Sequence, residues 1–330
     1  MLRILHDTNF DFIRWWKWAV GLTAGFIAIG LASFAINPRI NTSIEFTGGT
    51  MMQVAFTKPL DVGALRSHLD KAGIVGAEIQ QFGSNREFTI RAREAERQGA
   101  ATSGAESVGR HIETLLKQEY GAGNVRVVRA EGVGPRVGNE LTRDAIIAML
   151  LSFLVTTVYL AIRFEWRFAL AALIATSHDV ITTLAFLKIM HLEVSLTVIA
   201  AILTVIGYSL NDTIIIFDRV REDLRKGRKE SLYQTLNRAI NETLPRSVMT
   251  HATTFAATLA LLIFAGEVIR PFAWIMSFGI FTGTFSSIYI AGPTLLWIER
   301  KWPRKSGISK GSSTVTRTSP TRRSTATATR

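Results

Sequence analysis

Six stretches of this chain are apolar and long enough to cross a bilayer as helices: 18–36, 143–162, 168–190, 194–216, 249–266 and 271–297. A helical span needs about 20 mostly apolar residues. Inside hydrocarbon, only a helix or a closed barrel satisfies its own backbone groups. The 330 residues are 48% hydrophobic, and the apolar residues fall in these blocks rather than evenly. Only residues 37–142 are polar over the length of a domain. The expected fold is therefore an α-helical membrane protein of six transmembrane helices, with one α+β domain between the first and second.

The net charge of +12 could suggest nucleic acid. The Lys and Arg residues, however, lie beside the spans, in 217–248 from Arg219 to Arg246, in the turn Arg163–Arg167 and in the tail 298–330. With six spans these segments share one side, and the excess of Lys and Arg assigns that side to the cytoplasm. Both termini, 1–17 and 298–330, are then cytoplasmic, residues 37–142 are periplasmic, and no nucleic-acid partner is expected. The 7 Trp sit at span ends or just inside them, as interfacial anchors do. With no Cys there is neither a disulfide nor a thiolate metal site.

The end of the first run, LASFAIN, could pass for a cleavage site after a signal peptide. The run is long for a signal, and Gly21 and Gly25 offer a packing face, so an uncleaved helix is expected. In 37–142, MMQVAF (51–56) alternates like a strand. Asp61 caps a helix to about Ala72 with Leu65 and Leu69 on one face. AEIQQFG (77–83) and REFTIRAR (86–93) read as a hairpin around Ser84-Asn85. A helix from Ser107 to about Tyr120 ends at Gly121, and VRVVRAEG (125–132) is the last strand. The order βαββαβ is the ferredoxin-like split βαβ arrangement. The insert 94–106 reads as an exposed loop. Nothing in the domain has metal or nucleophile spacing, and the chain has no nucleotide-binding loop. No cofactor, metal or enzymatic activity is expected.

The fourth run carries Asn211 and Asp212. A carboxylate in a span costs about 2.5–3.5 kcal/mol on insertion scales, so it marks an ion path, a proton relay or a buried pair. The fifth run is entered through LPRSVMTHATT, where Arg246 is the obvious opposite charge. The expected working pair is Asp212 with Arg246, flanked by Asn211 and Thr213. The plainer alternative makes Asp212 a structural carboxylate held by Asn211 and Thr213, and Arg246 an anchor at the lipid surface. His178 and Asp179, near the middle of the third run, read equally as a satisfied buried pair or as a second relay. His251 adds a titratable group about one turn past Arg246. Thr250, Thr253 and Thr254 can bond between helices or line a wet path, and Gly279 and Gly283 form a GxxxG packing face. The charged segment after Asp212, with Leu224, Leu232, Leu236 and Ile240 on one face, reads as a helix on the membrane surface. The tail after Trp302 is disordered by composition.

Several long blocks occur in order: FTGGT (46–50), VGPRVGNEL (133–141), IGYSLNDTIIIFDRVRE (206–222), RSVMTHATT (246–254) and GTFSSIYIAGP (283–293). Over about residues 10–300 the chain resembles the SecD/SecF family of bacterial protein export, SecF type, itself similar to half of an RND-type permease. The resemblance implies a partner, SecD, and action beside the SecYEG channel, with YajC as a further subunit, a translocating preprotein as client and membrane lipid around the spans. It implies that the inner-membrane proton gradient drives the process, with the Asp of Asn-Asp-Thr (Asp212) and the following Arg (Arg246) in the proton path. The chain departs from the family at Ser43-Ile44-Glu45-Phe46 (usually Gly-x-Asp-Phe), at His251 (usually Ser) and at Gly266-Glu267 (usually Gly-Gly). The rival reading is a half-size RND-type exporter of a small molecule or lipid, which would need a drug-sized apolar pocket in a larger external domain. A third is a scaffold that uses no protons.

Overall fold

A computed structural model of the chain describes residues 8–74, 77–82, 84–92, 105–226, 230–266 and 268–303. Most of the insert expected at 94–106, and the tail beyond 303, lie outside these residues.

Six helical spans are present. They are α1 (Trp16–Ile36), α5 (Pro135–Arg163), α6 (Trp166–Ile189), α7 (Leu196–Arg225), α8 (Leu232–Phe264), and a last span made of α9 (Arg270–Ser286), a π-helical turn (Ser287–Ala291) and α10 (Gly292–Lys301). Three of these start with a recognisable device. Ser195 caps α7 through Val198 N–H, and α5 starts with Pro at its first turn. Ser231 and Gln234 form a reciprocal capping box at the start of α8. Between α1 and α5 lie the four-residue α2 (Ile44–Thr47), β1 (Gly49–Phe56), α3 (Val62–Lys71), β2 (Glu78–Phe82), β3 (Ser84–Ala92), α4 (Ala105–Tyr120) and β4 (Val125–Val133).

The strands form one antiparallel sheet in the order β2-β3-β1-β4, which is the ferredoxin-like arrangement. Its core is Val54, Phe88 and Ile90 from the sheet against Leu65, Leu69, Ile112 and Leu116 from the helices. Asp61 caps α3 by accepting from Ala64 N–H at 3.0 Å, and Gly121 takes a φ of 86° after α4. The β2–β3 turn is tighter than the sequence suggests. Phe82 pairs with Ser84, so Ser84 and Asn85 belong to β3 rather than to the turn.

Main-chain and side-chain bonds hold the sheet domain to the bundle. The strap after α1 pairs with the α6–α7 connection: Val194 N–H donates to Asn41 O at 2.7 Å, and Ser43 N–H to Val194 O at 2.9 Å. The Lys188 ammonium at the end of α6 donates to the carbonyls of Asn37 and Arg39. Arg91 on β3 forms an ion pair with Glu193, and Glu45 accepts from Leu196 N–H at 2.6 Å. Two of the sequence blocks meet here. A Cβ on Gly138 would lie 2.9 Å from Phe46 O and 3.0 Å from Gly48 N, so only glycine lets α5 approach the FTGGT turn.

Two expectations need correction. The charged segment after Asp212 is not a separate surface helix: α7 runs on to Arg225, and α8 is continuous from Leu232 to Phe264. Leu236 and Ile240 are buried in the bundle core, with Leu224 and Leu232 packed beside them, so the apolar face was real but covers protein. Burying such a side chain is worth about 1.5–3 kcal/mol, and the bundle is a nearer apolar surface than lipid. Gly21 and Gly25 do not pack within the chain. A Cβ on either meets nothing within 4 Å, whereas one on Gly30 would lie 2.5 Å from the Ala185 Cβ. The last span is helical to Lys301 and contains one π-helical turn.

Candidate functional site

The Asn-Asp-Thr triplet lies on α7, where successive residues point about 100° apart. Asn211 is therefore exposed while Asp212 and Thr213 are buried at 3% and 2% exposure. The Asp212 carboxylate meets α8. Its Oδ2 lies 3.1 Å from His251 Nε2, and it accepts from the Ser247 hydroxyl. Among the described residues no ion pair joins Asp212 to Arg246, and Arg246 is exposed. Helical phase explains this. Ser247 and His251 are four residues apart and share a face, whereas Arg246, one position before Ser247, points about 100° away. Pairing by nearest opposite charge along the sequence took no account of that rotation.

His251 is held from both sides. Its Nδ1 lies 2.9 Å from the Thr284 hydroxyl on α9, and that hydroxyl also reaches Ile280 O at 2.8 Å. The Tyr208 ring on α7 packs against the imidazole, and its hydroxyl donates to Thr250 O at 3.2 Å. Two proton counts fit this geometry. When the Thr284 O–H donates to Ile280 O, its lone pair accepts from Nδ1–H. Nε2–H then donates to Asp212, and the ring is an imidazolium. When the Thr284 O–H turns to donate to Nδ1, the ring is neutral and Nε2–H still reaches Asp212. The states differ by one proton, and both satisfy every polar atom with a single hydroxyl rotation.

A second polar cluster lies across α9. Asp179 on α6 is 1% exposed. Its Oδ1 lies 3.0 Å from His178 Nδ1. Its Oδ2 accepts from Ser209 on α7 and, at 2.6 Å, from Ser286 at the end of α9. The next residue, Ser287, exchanges a hydrogen bond of 2.8 Å with Thr213. The π-helical turn begins at Ser287, so two consecutive serines serve two different helices where the regular α pitch is interrupted. Single π turns inside α-helices recur at functional sites.

Of the sequence candidates, the structure brings Asp212 to His251 and His178 to Asp179, and gives Thr213 an interhelical bond. Thr250 and Thr253 return to carbonyls of their own helix, while Thr254 also reaches Tyr208. Gly279 and Gly283 face Val205 and Ser209 of α7. Sequence reading missed Ser209, Ser247, Thr284, Ser286 and Ser287. The signal for them was hydroxyls at helical spacing in an otherwise apolar run, as in GTFSS. No group of three or more metal-binding side chains occurs among the described residues.

The family model for the C-terminal region of SecD/SecF protein export membrane proteins matches residues 111–301. Curated relatives include the protein translocase subunit SecF of Gemmatimonas aurantiaca, 62% identical over 305 residues, covering 92% of this chain and 91% of that protein. The Escherichia coli O157:H7 SecF is 36% identical over 297 residues, covering 88% of each. The solved SecDF of Thermus thermophilus, described as a translocon-associated membrane protein, matches with a TM-score of 0.78 at 33% identity, covering 91% of this chain. A second SecDF structure matches at 0.64 and 34% identity. This chain spans 40% of the length of either SecDF chain.

Proposed function

This chain belongs to the SecD/SecF family of protein-export membrane proteins as a SecF subunit, and from that premise we propose that Asp212 and His251 are its proton-exchanging site. It is a multi-pass membrane protein that works with SecD in protein translocation. In the proposed setting it lies in the bacterial inner membrane with both termini cytoplasmic and the sheet domain periplasmic. Its bundle faces SecD, and the pair assists a preprotein leaving SecYEG, with YajC as a further neighbour. The exposed flanks of α1 and α5, and exposed Asn211 and Arg246, suit a half-bundle whose other half is a partner's. The exporter reading is not favoured by the relatives.

The observation that carries the proton reading is the Asp212–His251–Thr284 chain, which gains or loses one proton without moving a heavy atom. Each proton crossing the membrane supplies about 2.3 kcal/mol per 100 mV. Asn211 and Thr213 flank the carboxylate. Arg246, exposed one position before Ser247, lies outside this hydrogen-bonded chain. The test is Asp212→Asn in SecDF-containing vesicles with an imposed proton gradient. The expected result is normal assembly with gradient-driven translocation lost. Normal translocation per assembled complex removes the proton role and leaves a scaffold.

A further inference from the structure

His178 Nε2 is buried and has no hydrogen-bond partner among the described residues. Its other nitrogen faces Asp179 Oδ1 at 3.0 Å, and Asp179 Oδ2 is already occupied by the Ser209 and Ser286 hydroxyls. A carboxylate so placed accepts, so Nδ1 carries hydrogen. In the neutral ring Nε2 is then a bare lone pair with no donor; in the charged ring it is an N–H with no acceptor. A buried unmet polar atom costs about 1–3 kcal/mol, and in a folded protein it calls for a reason. A purely structural partner for Asp179 would need only the donor at the δ position.

We propose that His178, backed by Asp179, is a second proton-holding site in the same pathway, with its Nε2 lone pair as the point of proton entry. This rests on the proton reading of Asp212. A proton arriving from water forms the Nε2–H bond, and the resulting imidazolium is balanced by the Asp179 carboxylate; release returns the proton to water. The neutral and charged rings share one heavy-atom arrangement. Neighbouring serines lie between the two sites, Ser286 bonding Asp179 and Ser287 bonding Thr213, the residue after Asp212. Ser286 has a second acceptor, Gly283 O at 3.1 Å, so its hydroxyl can turn away from Asp179 when the local charge changes.

The discriminating variant is His178→Asn. Its side-chain amide can donate to Asp179 from nearly the place of Nδ1, but it offers no basic nitrogen. In gradient-energised vesicles it is expected to assemble like the parent and to lose about a hundredfold in translocation per complex, the low end for a proton-transfer group. Activity within about twofold of the parent would overturn the second site and leave His178 a support for Asp179. Asp212→Asn in the same vesicles separates the two readings. Activity retained there removes proton use altogether; activity lost there but normal in His178→Asn removes only the second site. Should His178→Asn fail to assemble, the histidine 15N spectrum of the unmutated complex decides. A His178 ring whose protonation changes across the working pH range supports the site, and one that never changes overturns it.

Discussion

At the scale of single residues, Thr284 carries the sharpest prediction. In the proposed proton exchange its hydroxyl turns as the Asp212–His251 pair changes its proton count. Thr284→Val keeps the shape but leaves Nδ1 unmet, at about 1–3 kcal/mol. Both proton states lose a bond at Nδ1, and the charged ring loses the stronger one, so gradient-driven translocation per complex should drop by roughly fivefold or more. Thr284→Ser, which restores the hydroxyl, should recover most of it. Equal activity for the Val and Ser variants would show that the hydroxyl plays no part. The identity of Asp212 was legible from the sequence, because a carboxylate in an apolar run is conspicuous. Its partner was not. Charge singles out Arg246, whereas contact on a helix depends on phase, and phase favours Ser247 and His251. Thr284 and Ser286 were invisible for a different reason: a hydroxyl on an apolar helix usually bonds its own backbone, and nothing local marks the few that reach across.

At the scale of elements, one close crossing joins α7 and α9. A Cβ added at Gly279 would lie 2.2 Å and 2.7 Å from the Val205 methyls and 3.1 Å from its Cβ. No rotation of Val205 clears all three, so Gly279→Ala should destabilise the bundle by about 1–3 kcal/mol. Thermal unfolding in detergent would read this. Gly21→Ala is the control, because its Cβ meets nothing within 4 Å. The GxxxG spacing revealed this face correctly, yet the same spacing at Gly21 and Gly25 marked a surface without a partner inside the chain. Small residues announce that a helix can approach; they do not say which one.

The strap between the external domain and the α6–α7 connection carries a pH dependence. Burial pushes the Glu193 carboxyl above the usual glutamate range. The Arg91 guanidinium pulls it down less strongly, and Glu45 and Glu78 push it up again. The docked carboxyl therefore holds its proton more tightly than an undocked one, so proton uptake favours docking. That contribution is fully present below the ordinary glutamate value and is lost as pH rises through the docked one. Amide exchange at Ser43 and Val194, corrected for its intrinsic pH dependence, should report fewer openings at mildly acid pH than at neutral pH. Glu193→Gln should flatten the difference, and an unchanged slope in that variant would exclude Glu193 as its source.

At the scale of the whole molecule, the half-bundle and the sheet domain were both readable, because hydropathy and strand alternation survive without tertiary context. The helical hairpin between α7 and α8 was not. Its charges resemble those of a surface helix until one sees Leu236 and Ile240 facing the core. Topology gives the last prediction. With no native cysteine, Asn85→Cys at the exposed tip of the β2–β3 hairpin provides a single thiol. It should react with an impermeant reagent in spheroplasts; labelling only after lysis would invert the proposed orientation.

One feature joins these scales mechanically. The 30-residue α7 is about 45 Å long. Its outer end runs into the Glu193–Ser195 segment that grips the external domain, and Asp212 lies 16 residues further along, about 24 Å away. A tilt of about 5° pivoting at Asp212 would therefore sweep the gripping end through about 2 Å. Because main-chain hydrogen bonds and buried side-chain bonds from Lys188 and Arg91 make the grip together, little of that stroke would be lost to slack. A lever needs a stiff arm, a fulcrum and a firm attachment to its load. In such a lever α7 would be the arm, Asp212 the fulcrum and the strap the attachment.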